Sequence, residues 1–370
     1  MDVWAAAADR QRTHGDLVNL SAGQPSTPAP EPVLRAATAA LRADPLGYTV
    51  SVGIPELRAA IAAHYARRHD VSVDVDDVVL TTGSSGGFLL SFLAAFDAGA
   101  RVAMARPGYP CYRNILTALG CQVVELDAGP ATRFQPTVEM LERVGRLDGV
   151  ILASPANPTG TVIDADELVA VARWCERSGV QLVSDEIYHG IAYAGAPSTS
   201  CAWEASREAI IVNSFSKYFS MTGWRLGWLL VPPRLRRAVD VLTGNFTVCP
   251  PALPQYAALA AFDPASIAEV DGHVARYAVN RTLLLDGLPR LGIEKLAPAD
   301  GAFYVYADIR HLTGDSMVFC RELLAATGVA VAPGIDFDTA DGGSFIRFSF
   351  AGASEGVAEA LRRLAGYLGG

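Results

Sequence analysis

Short apolar runs alternate with helix-like segments through the middle of the chain. Apolar, often β-branched residues bounded by turn residues predict strands at 78–81, 101–105, 122–126, 150–153, 181–184, 210–212 and 226–231. Apolar positions that recur every three to four residues predict helices between them, at 88–98, 111–119 and 164–178. Strands that alternate with helices in this way form a mostly parallel sheet covered on both faces. We therefore predict an α/β fold with a seven-stranded sheet flanked by helices.

The two ends of the chain have a different pattern. An amphipathic helix begins the chain, a short strand follows at 17–20, and four prolines lie between residues 25 and 32. After about residue 265, a long helix at 266–288 leads to alternating strands at 302–306 and 343–350. Alternating strands are typical of an antiparallel sheet. We predict a large domain over residues 32–265 and a smaller α+β domain built from 1–31 and 266–370.

Composition excludes several classes of protein. Hydrophobic residues make up 51% and charged residues 19% of the 370 residues, which is enough apolar material for a sizeable core. The net charge of −9 gives no support for binding to nucleic acid or to an acidic membrane surface. No apolar run approaches the roughly 18 residues that a membrane helix needs. The six cysteines form no C-x-x-C motif, so we predict no metal site and a reducing, cytoplasmic location.

Lysine is scarce in this chain, and one of its two lysines follows a predicted strand. Only Lys217 and Lys295 are lysines among 30 basic residues. Unlike arginine, lysine can lose its proton and attack a carbonyl to form an imine. Lys217 comes after the run 210–212 and two serines, at the strand end where ligands bind in open α/β sheets. The alternative for Lys217 is an ordinary surface lysine, which is also our interpretation of Lys295.

An acidic residue follows another predicted strand. Asp185 ends the run Leu182-Val-Ser-Asp, and Tyr188 lies three residues later. The chain has no Gly-Lys-Ser/Thr motif, so a nucleotide-hydrolase site is excluded. A carboxylate at this position could hold a pyridinium nitrogen and make the ring an electron sink, with Tyr188 donating to a phenolate oxygen. The alternative for Asp185 alone is a helix N-cap.

Three loops that follow predicted strands carry residues suited to a flat, phosphorylated ligand. Gly83, Ser84 and Ser85 lie in a predicted glycine-rich turn before a helix, where backbone N–H groups and hydroxyls suit a phosphate. Tyr109 could stack on a flat ring, and Asn157 lies in an Asn-Pro-Thr-Gly motif. The alternatives are a tight turn, a tyrosine packed on its own domain and a turn asparagine.

Two arginines complete the candidate residues. Arg225, eight residues after Lys217, could make a bidentate contact with a phosphate. Arg347 lies in a strand among Phe345, Ile346 and Phe348, where its charge needs a partner. That partner is either an acidic residue or the carboxylate of a substrate.

The order of these motifs, from Gly23 to Arg347, resembles that of the class I and II aminotransferases. These are fold-type I pyridoxal-phosphate enzymes, and they include aspartate aminotransferase. The resemblance implies pyridoxal 5'-phosphate as the cofactor, with Lys217 forming the imine and moving the proton and with Asp185 holding the pyridine nitrogen. It implies that Tyr188 and Asn157 donate to ring O3′ and that Tyr109 stacks on the ring. The implied phosphate cradle consists of Gly83, Ser84, Ser85, Ser214, Ser216 and Arg225.

The resemblance also implies a substrate site and a partner. Arg347 and the backbone of Gly23 resemble the clamp for the α-carboxylate of an amino acid or a 2-oxo acid, to which Asn157 also contributes. Tyr48 resembles the tyrosine that reaches the phosphate of the neighbouring subunit, which implies a homodimer with shared active sites. Ser85 stands where some dicarboxylate-using relatives carry a basic residue, so aspartate specificity is not implied. The N-terminal arm of many relatives is expected to be short or missing.

Three functions follow from these residues. The first is amino-group transfer between an L-amino acid and a 2-oxo acid through Lys217. The second is another reaction of the same cofactor on the same fold: a carbon–sulfur β-lyase, a decarboxylase or a synthase. The third is a binding protein without a cofactor, against which the combination of Lys217, Asp185 and Arg225 argues.

Overall fold

The structure, a computed structural model, describes residues 2–369 and combines helices with strands throughout. Its strands are β1 Val18–Asn19, β2 Val78–Thr81, β3 Arg101–Arg106, β4 Gln122–Asp127, β5 Gly149–Ala153, β6 Gln181–Asp185, β7 Ile210–Ser214, β8 Gly227–Leu230, β9 Tyr304–Asp308, β10 Val329–Ala330, β11 Ala332–Pro333 and β12 Phe345–Ser349. Its α-helices are α1 Asp2–His14, α2 Glu31–Ala43, α3 Pro55–His69, α4 Gly83–Ala95, α5 Pro110–Ala118, α6 Val138–Arg143, α7 Ala165–Ser178, α8 Arg236–Phe246, α9 Ala252–Ala258, α10 Pro264–Arg290, α11 Ser316–Thr327 and α12 Ser354–Leu368.

The larger sheet has seven strands in the described part of the chain, in the order β2-β8-β7-β6-β5-β3-β4. Its pairs are parallel except those of β8, which runs antiparallel to both β7 and β2. Successive residues of a strand point to opposite faces, so Ile211 packs in one apolar cluster and Val212 in another. The second cluster includes residues of α4, α5 and α8, and the first includes residues of α3 and α7. The predicted mostly parallel α/β sheet is confirmed.

The smaller sheets join the two ends of the chain. Strands β11, β12 and β9 form an antiparallel sheet, and β1 pairs in parallel with β10, with Val18 opposite Val329. The seven-stranded sheet takes its strands from 78–230, whereas these smaller sheets take theirs from 18–19 and 304–349. On that basis we propose the division into a large domain, 32–265, and a small domain, 1–31 with 266–370.

The predicted boundaries differ from the structure in a few places. Residues 83–87 were predicted to be a turn, but they form the first turns of α4. Gly83 has φ +76°, a conformation that only glycine adopts easily, and the helix begins directly from it. The long C-terminal helix, predicted at 266–288, covers Pro264–Arg290 because a proline fits its first turn. Strands β9 and β12 begin two residues later than predicted.

Within residues 2–369, no helix combines the length and apolarity needed to cross a membrane. The same residues contain no cluster of three or more His, Cys, Asp or Glu side chains that could hold a metal ion.

Candidate active site

A cavity of about 320 Å³ lies beside the C-terminal ends of the parallel strands, between the larger sheet and the antiparallel sheet. Ligands bind at this edge in open α/β sheets. Eleven of the residues predicted from the sequence line it: Gly23, Ser84, Ser85, Tyr109, Asn157, Asp185, Tyr188, Ser216, Lys217, Arg225 and Arg347. Six residues that the sequence did not indicate line it too: Trp4, Ser21, Gln24, Ile187, Thr222 and Tyr304.

The Lys217 amine lies in this cavity. Strand β7 ends three residues earlier, and the Nζ atom donates to the carbonyl oxygen of Gly23 across 2.6 Å. Burial, and then the positive charge of Arg347, lower the pKa of Lys217 to about 8. A larger share of the amine is therefore neutral and nucleophilic near neutral pH than in a solvated lysine. Lys295 is exposed at the surface.

Asp185 ends β6 and is buried at the cavity wall. Its Oδ1 accepts the backbone N–H of Ile187 across 3.1 Å, and its Oδ2 accepts the hydroxyl of Tyr112. Burial raises the pKa of Asp185 to about 6, although both hydrogen bonds oppose the rise. A buried carboxylate is stabilised by a nearby cation, so this position favours a protonated ring nitrogen. Tyr112 was missed because a tyrosine within a helix also fits an ordinary core position.

The residues predicted to hold a phosphate lie around the start of α4. The Arg225 guanidinium lies against Gly83, where an added Cβ would collide with it. Nη1 of Arg225 donates to the carbonyl oxygen of Thr222 across 2.9 Å, and no carboxylate pairs with it among the described residues. Together with the hydroxyls of Ser84, Ser85 and Ser216, these groups form an electropositive end of the cavity.

Two of the predicted cradle residues lie behind the cavity wall. Gly83 is buried beneath Arg225. Ser214 is buried beneath Ser216, and its Oγ accepts the backbone N–H of Ser216 across 3.0 Å. Neither residue lines the cavity, so both support the residues that do.

Arg347 also lines the cavity and is 6% exposed. Its Nη1 donates to Oδ1 of Asn157 and its Nη2 donates to the carbonyl oxygen of Ser21, each across 2.8 Å. Its Cζ is 4.3 Å from the ring centroid of Tyr304 and 4.7 Å from that of Phe337. Among the described residues, no carboxylate lies within ion-pair distance of Arg347, and its Nε has no hydrogen-bond partner. The guanidinium is therefore held in place but has no protein anion.

Tyr304 connects the two sides of the cavity. Its hydroxyl lies 2.7 Å from the hydroxyl of Tyr188, and its ring faces Arg347. An added Cβ at Gly23 would lie 2.7 Å from the Tyr304 hydroxyl oxygen, so the backbone at Gly23 packs directly against Tyr304. Sequence reasoning missed Tyr304 because an aromatic residue in an alternating strand also fits a core position.

Tyr48 lies away from the cavity of its own chain. Its side chain is 88% exposed, and it does not line the cavity. Val50, Phe246 and Val248 are also exposed. A hydrogen bond of 2.7 Å from Ser51 Oγ to Asp240 Oδ1 holds this segment against α8. The predicted role of Tyr48 therefore needs a second subunit.

The sequence is similar to those of known proteins along almost its whole length. The profile of the family "Aminotransferase class I and II" matches residues 15–364. A "Valine--pyruvate aminotransferase" of Mycobacterium tuberculosis is 69% identical over 100% of this chain and 95% of its own length. An "Aspartate/prephenate aminotransferase" of Thermus thermophilus is 36% identical over 99% of this chain and 94% of its own length.

A solved structure agrees with these sequence relationships. The crystal structure of an aminotransferase from Mycobacterium tuberculosis has a TM-score of 0.99 and 69% identity, and the match covers 100% of this chain and 96% of that one. This similarity covers the full length of the chain, so it supports both the fold and amino-group transfer. The chain belongs to the class I and II aminotransferase family, and it is an aminotransferase.

Proposed function

We propose that this aminotransferase holds pyridoxal 5'-phosphate at Lys217 and moves the amino group between an amino acid with an apolar side chain and a small 2-oxo acid. Valine and pyruvate, which the name of the Mycobacterium tuberculosis relative contains, are the substrates proposed for the first assay. The observation that carries the proposal is the pairing, in one cavity, of an amine of lowered pKa with a buried guanidinium that has no protein anion.

The chemistry of the cavity residues fits the functional groups of the proposed cofactor. Arg225, the start of α4 and the nearby hydroxyls suit its phosphate, whereas the buried carboxylate of Asp185 suits a protonated ring nitrogen. Tyr188 and Asn157 offer donors for the ring oxygen, and Tyr109 offers an aromatic face. When bound, pyridoxal phosphate supplies an aldehyde that takes the amino group and a ring that withdraws electrons from the substrate α-carbon.

Each residue then has a separate task. Lys217 provides the amine that attaches to the cofactor aldehyde and, when free, holds a proton that it can give to or take from the substrate α-carbon. Asp185 keeps the ring nitrogen protonated. Arg347 orients the substrate through its carboxylate, since a guanidinium binds a carboxylate by two parallel hydrogen bonds.

The charges of the cavity support a substrate with a single carboxylate. Lys217, Arg225 and Arg347 are the basic residues that line it in the described chain. The cofactor accounts for the first two, so Arg347 alone is left for substrate. Trp4, Ile187 and Tyr109 contribute apolar surface to the wall. A second carboxylate, as in aspartate, would have no basic partner within one protomer, and this supports apolar donors.

A homodimer with shared sites is part of the proposal. The side chains of Tyr48, Val50, Phe246 and Val248 are exposed, and the hydrogen bond from Ser51 to Asp240 holds their two segments together. A second copy of the chain would cover them. Tyr48 of the partner subunit would then reach the phosphate, as the family resemblance implies. A cytoplasmic location stays a prediction.

The experiment uses valine and pyruvate with the purified protein. We expect 3-methyl-2-oxobutanoate and alanine in equal amounts, and with valine alone we expect at most one turnover per site. Continued turnover of an amino acid without any 2-oxo acid would instead support a lyase or a decarboxylase. Lys217→Ala should abolish turnover and leave no borohydride-reducible bond to the cofactor, whereas Lys295→Ala is the matched control and should change neither.

A further inference from the structure

Tyr304 makes two contacts in the cavity, one through its hydroxyl and one through its ring. Its hydroxyl is 2.7 Å from the hydroxyl of Tyr188, and its ring centroid is 4.3 Å from Cζ of Arg347. The side chain is 0% exposed, so neither contact is weakened by solvent. Tyr304 is therefore the residue that joins the proposed cofactor site to the proposed carboxylate site.

The direction of the hydrogen bond follows from counting protons. Each phenol has one proton and two lone pairs. In the proposed function, Tyr188 donates its proton to the ring oxygen of the cofactor, so its own oxygen is left to accept from Tyr304. Tyr188 is the hydrogen-bond partner found for the Tyr304 hydroxyl within residues 2–369. The proton of Tyr304 is thus directed at Tyr188.

We infer that Tyr304 is a positioning residue that couples the carboxylate clamp to the cofactor. The inference rests on the proposed function. Its hydroxyl holds and polarises Tyr188, and its ring supports one face of the Arg347 guanidinium. A hydrogen bond received by a phenol makes that phenol a stronger donor, because successive hydrogen bonds polarise one another. Tyr304 would therefore act on the cofactor ring through Tyr188.

The consequence is a shift in the acidity of the bound cofactor. A strong donor on the ring oxygen lowers the pKa of the nitrogen that Lys217 contributes to the linkage, because it removes negative charge from the neighbouring oxygen. Loss of the Tyr304 hydroxyl weakens that donor, so the pKa of the nitrogen rises. The visible absorbance of the holoenzyme reports this protonation directly, independently of turnover.

The test separates the hydroxyl from the ring by two substitutions. Tyr304→Phe keeps the ring beside Arg347, and it should raise the pH midpoint of the absorbance change by about 0.3 to 1 pH unit, the equivalent of one neutral hydrogen bond. The KM values for valine and pyruvate should stay within about twofold. Tyr304→Leu also removes the cation–π contact and should raise both KM values roughly five- to thirtyfold.

Tyr306→Phe is the matched control. Tyr306 lies two residues along the same strand, its buried hydroxyl has no hydrogen-bond partner among the described residues, and it does not line the cavity. This variant should leave the midpoint unchanged. In a Tyr188→Phe background, adding Tyr304→Phe should produce no further shift, because the effect passes through Tyr188.

Three results would overturn the inference. They are an unchanged midpoint in a folded Tyr304→Phe holoenzyme, an equal shift in Tyr306→Phe, and a full additional shift in the Tyr188→Phe background. A wild-type protein that binds no pyridoxal phosphate would instead refute the proposed function itself, and the two failures are thus distinguishable.

Discussion

Nη1 of Arg347 donates to Oδ1 of Asn157 across 2.8 Å, and this bond joins β12 of the antiparallel sheet to the turn that follows β5 of the larger sheet. The same guanidinium also donates to the backbone at Ser21. Three segments of the chain that are far apart in sequence therefore meet at one cation. An incoming carboxylate would find that cation already oriented, which lowers the cost of ordering the site upon binding.

Arg347→Lys tests this clamp. A lysine cannot reproduce the planar fork of the guanidinium, so charged hydrogen bonds to the substrate carboxylate are lost. This loss should cost about 1.5–3 kcal/mol of binding free energy and lower kcat/KM for valine roughly 10- to 150-fold. The absorbance of the bound cofactor should be unchanged. Steady-state kinetics would be compared for valine and for isobutylamine, which has the same branched carbon skeleton without the carboxylate. Equal losses for both compounds would show that Arg347 is a structural residue.

The lowered pKa of Lys217 predicts how the apoenzyme takes up its cofactor. Only the neutral amine attacks an aldehyde, and burial has moved the pKa of Lys217 down to about 8. The rate of uptake should therefore rise about tenfold per pH unit below pH 8 and level off above it. Stopped-flow absorbance after mixing apoenzyme with pyridoxal phosphate would measure the profile. A rate that levels only near pH 10 would mean that the amine is solvated before the cofactor binds.

Gly83→Ala tests the phosphate end of the cavity, and Gly99→Ala is its control. Both glycines have positive φ, +76° and +87°, so each substitution should cost roughly 1–2 kcal/mol of folding stability. Only at Gly83 would the new Cβ displace Arg225, because no atom lies within 4 Å of the Cβ position at Gly99. We expect at least about a tenfold weaker affinity for pyridoxal phosphate in Gly83→Ala alone, since a charged hydrogen bond is disturbed. Titrating each apoenzyme with pyridoxal phosphate measures the two affinities. Equal affinities would mean that Arg225 does not bind the phosphate.

Glu186→Gln tests a buried carboxyl group next to the site. Burial raises the pKa of Glu186 to about 8, and its Oε1 accepts the N–H of Ala202 and the hydroxyl of Ser184. Because the pKa of Glu186 is higher in the folded protein, its contribution to the free energy of unfolding depends on pH. That contribution is fully present below the pKa of the unfolded chain, near 4.5, and is lost as the pH rises through the folded-state pKa of about 8. A glutamine keeps the acceptor and cannot ionise. The Tm of the variant, measured by calorimetry, should therefore exceed that of the wild type by an amount that grows between pH 5 and pH 8.

Asp185→Asn is the companion variant, one residue earlier. It should lower turnover by roughly 10²–10³-fold through the loss of an electrostatic partner of the ring, while Glu186→Gln leaves turnover within about twofold. If Glu186→Gln shows no pH-dependent gain in Tm, the Glu186 carboxyl is ionised in the folded protein. If Asp185→Asn turns over at a near-normal rate, Asp185 has only a structural role.

Most residues that line the cavity could be predicted from the sequence, because several reactive side chains lie at or just after the ends of predicted strands. Asp185 ends a strand and Lys217 lies three residues past the end of another, and a parallel sheet brings such positions to one edge whatever the details of packing. Arg347 was found because a charge among aromatic residues needs an anion. These three predictions required only the pattern of the chain and the chemistry of single side chains.

The rest of the site depends on contacts that local sequence does not encode. Tyr112 and Tyr304 occupy positions that would suit any core aromatic, and only tertiary packing directs their hydroxyls toward Asp185 and Tyr188. The contribution of Ser21 is a backbone carbonyl, which every residue possesses. The glycine-rich segment at 83–87 was predicted to be a turn because its composition lowers helix propensity, but tertiary contacts override that preference.

The two-residue strand β1 has a consequence for the synthesis of the protein. Leu20, which follows β1, donates its N–H to Ala330 across 2.8 Å and accepts the N–H of Ser349 across 2.6 Å. At about 5–20 residues per second, a ribosome needs roughly 16 to 66 s to progress from Leu20 to Ser349. Until β10 is made, late in that interval, the N-terminal segment has no partner strand. Arg347, which its backbone helps to hold, is made later still. A nascent chain therefore cannot bind the carboxylate of an amino acid through Arg347 until translation is almost complete. Until then, its unpaired N-terminal strand must be kept from pairing with other chains.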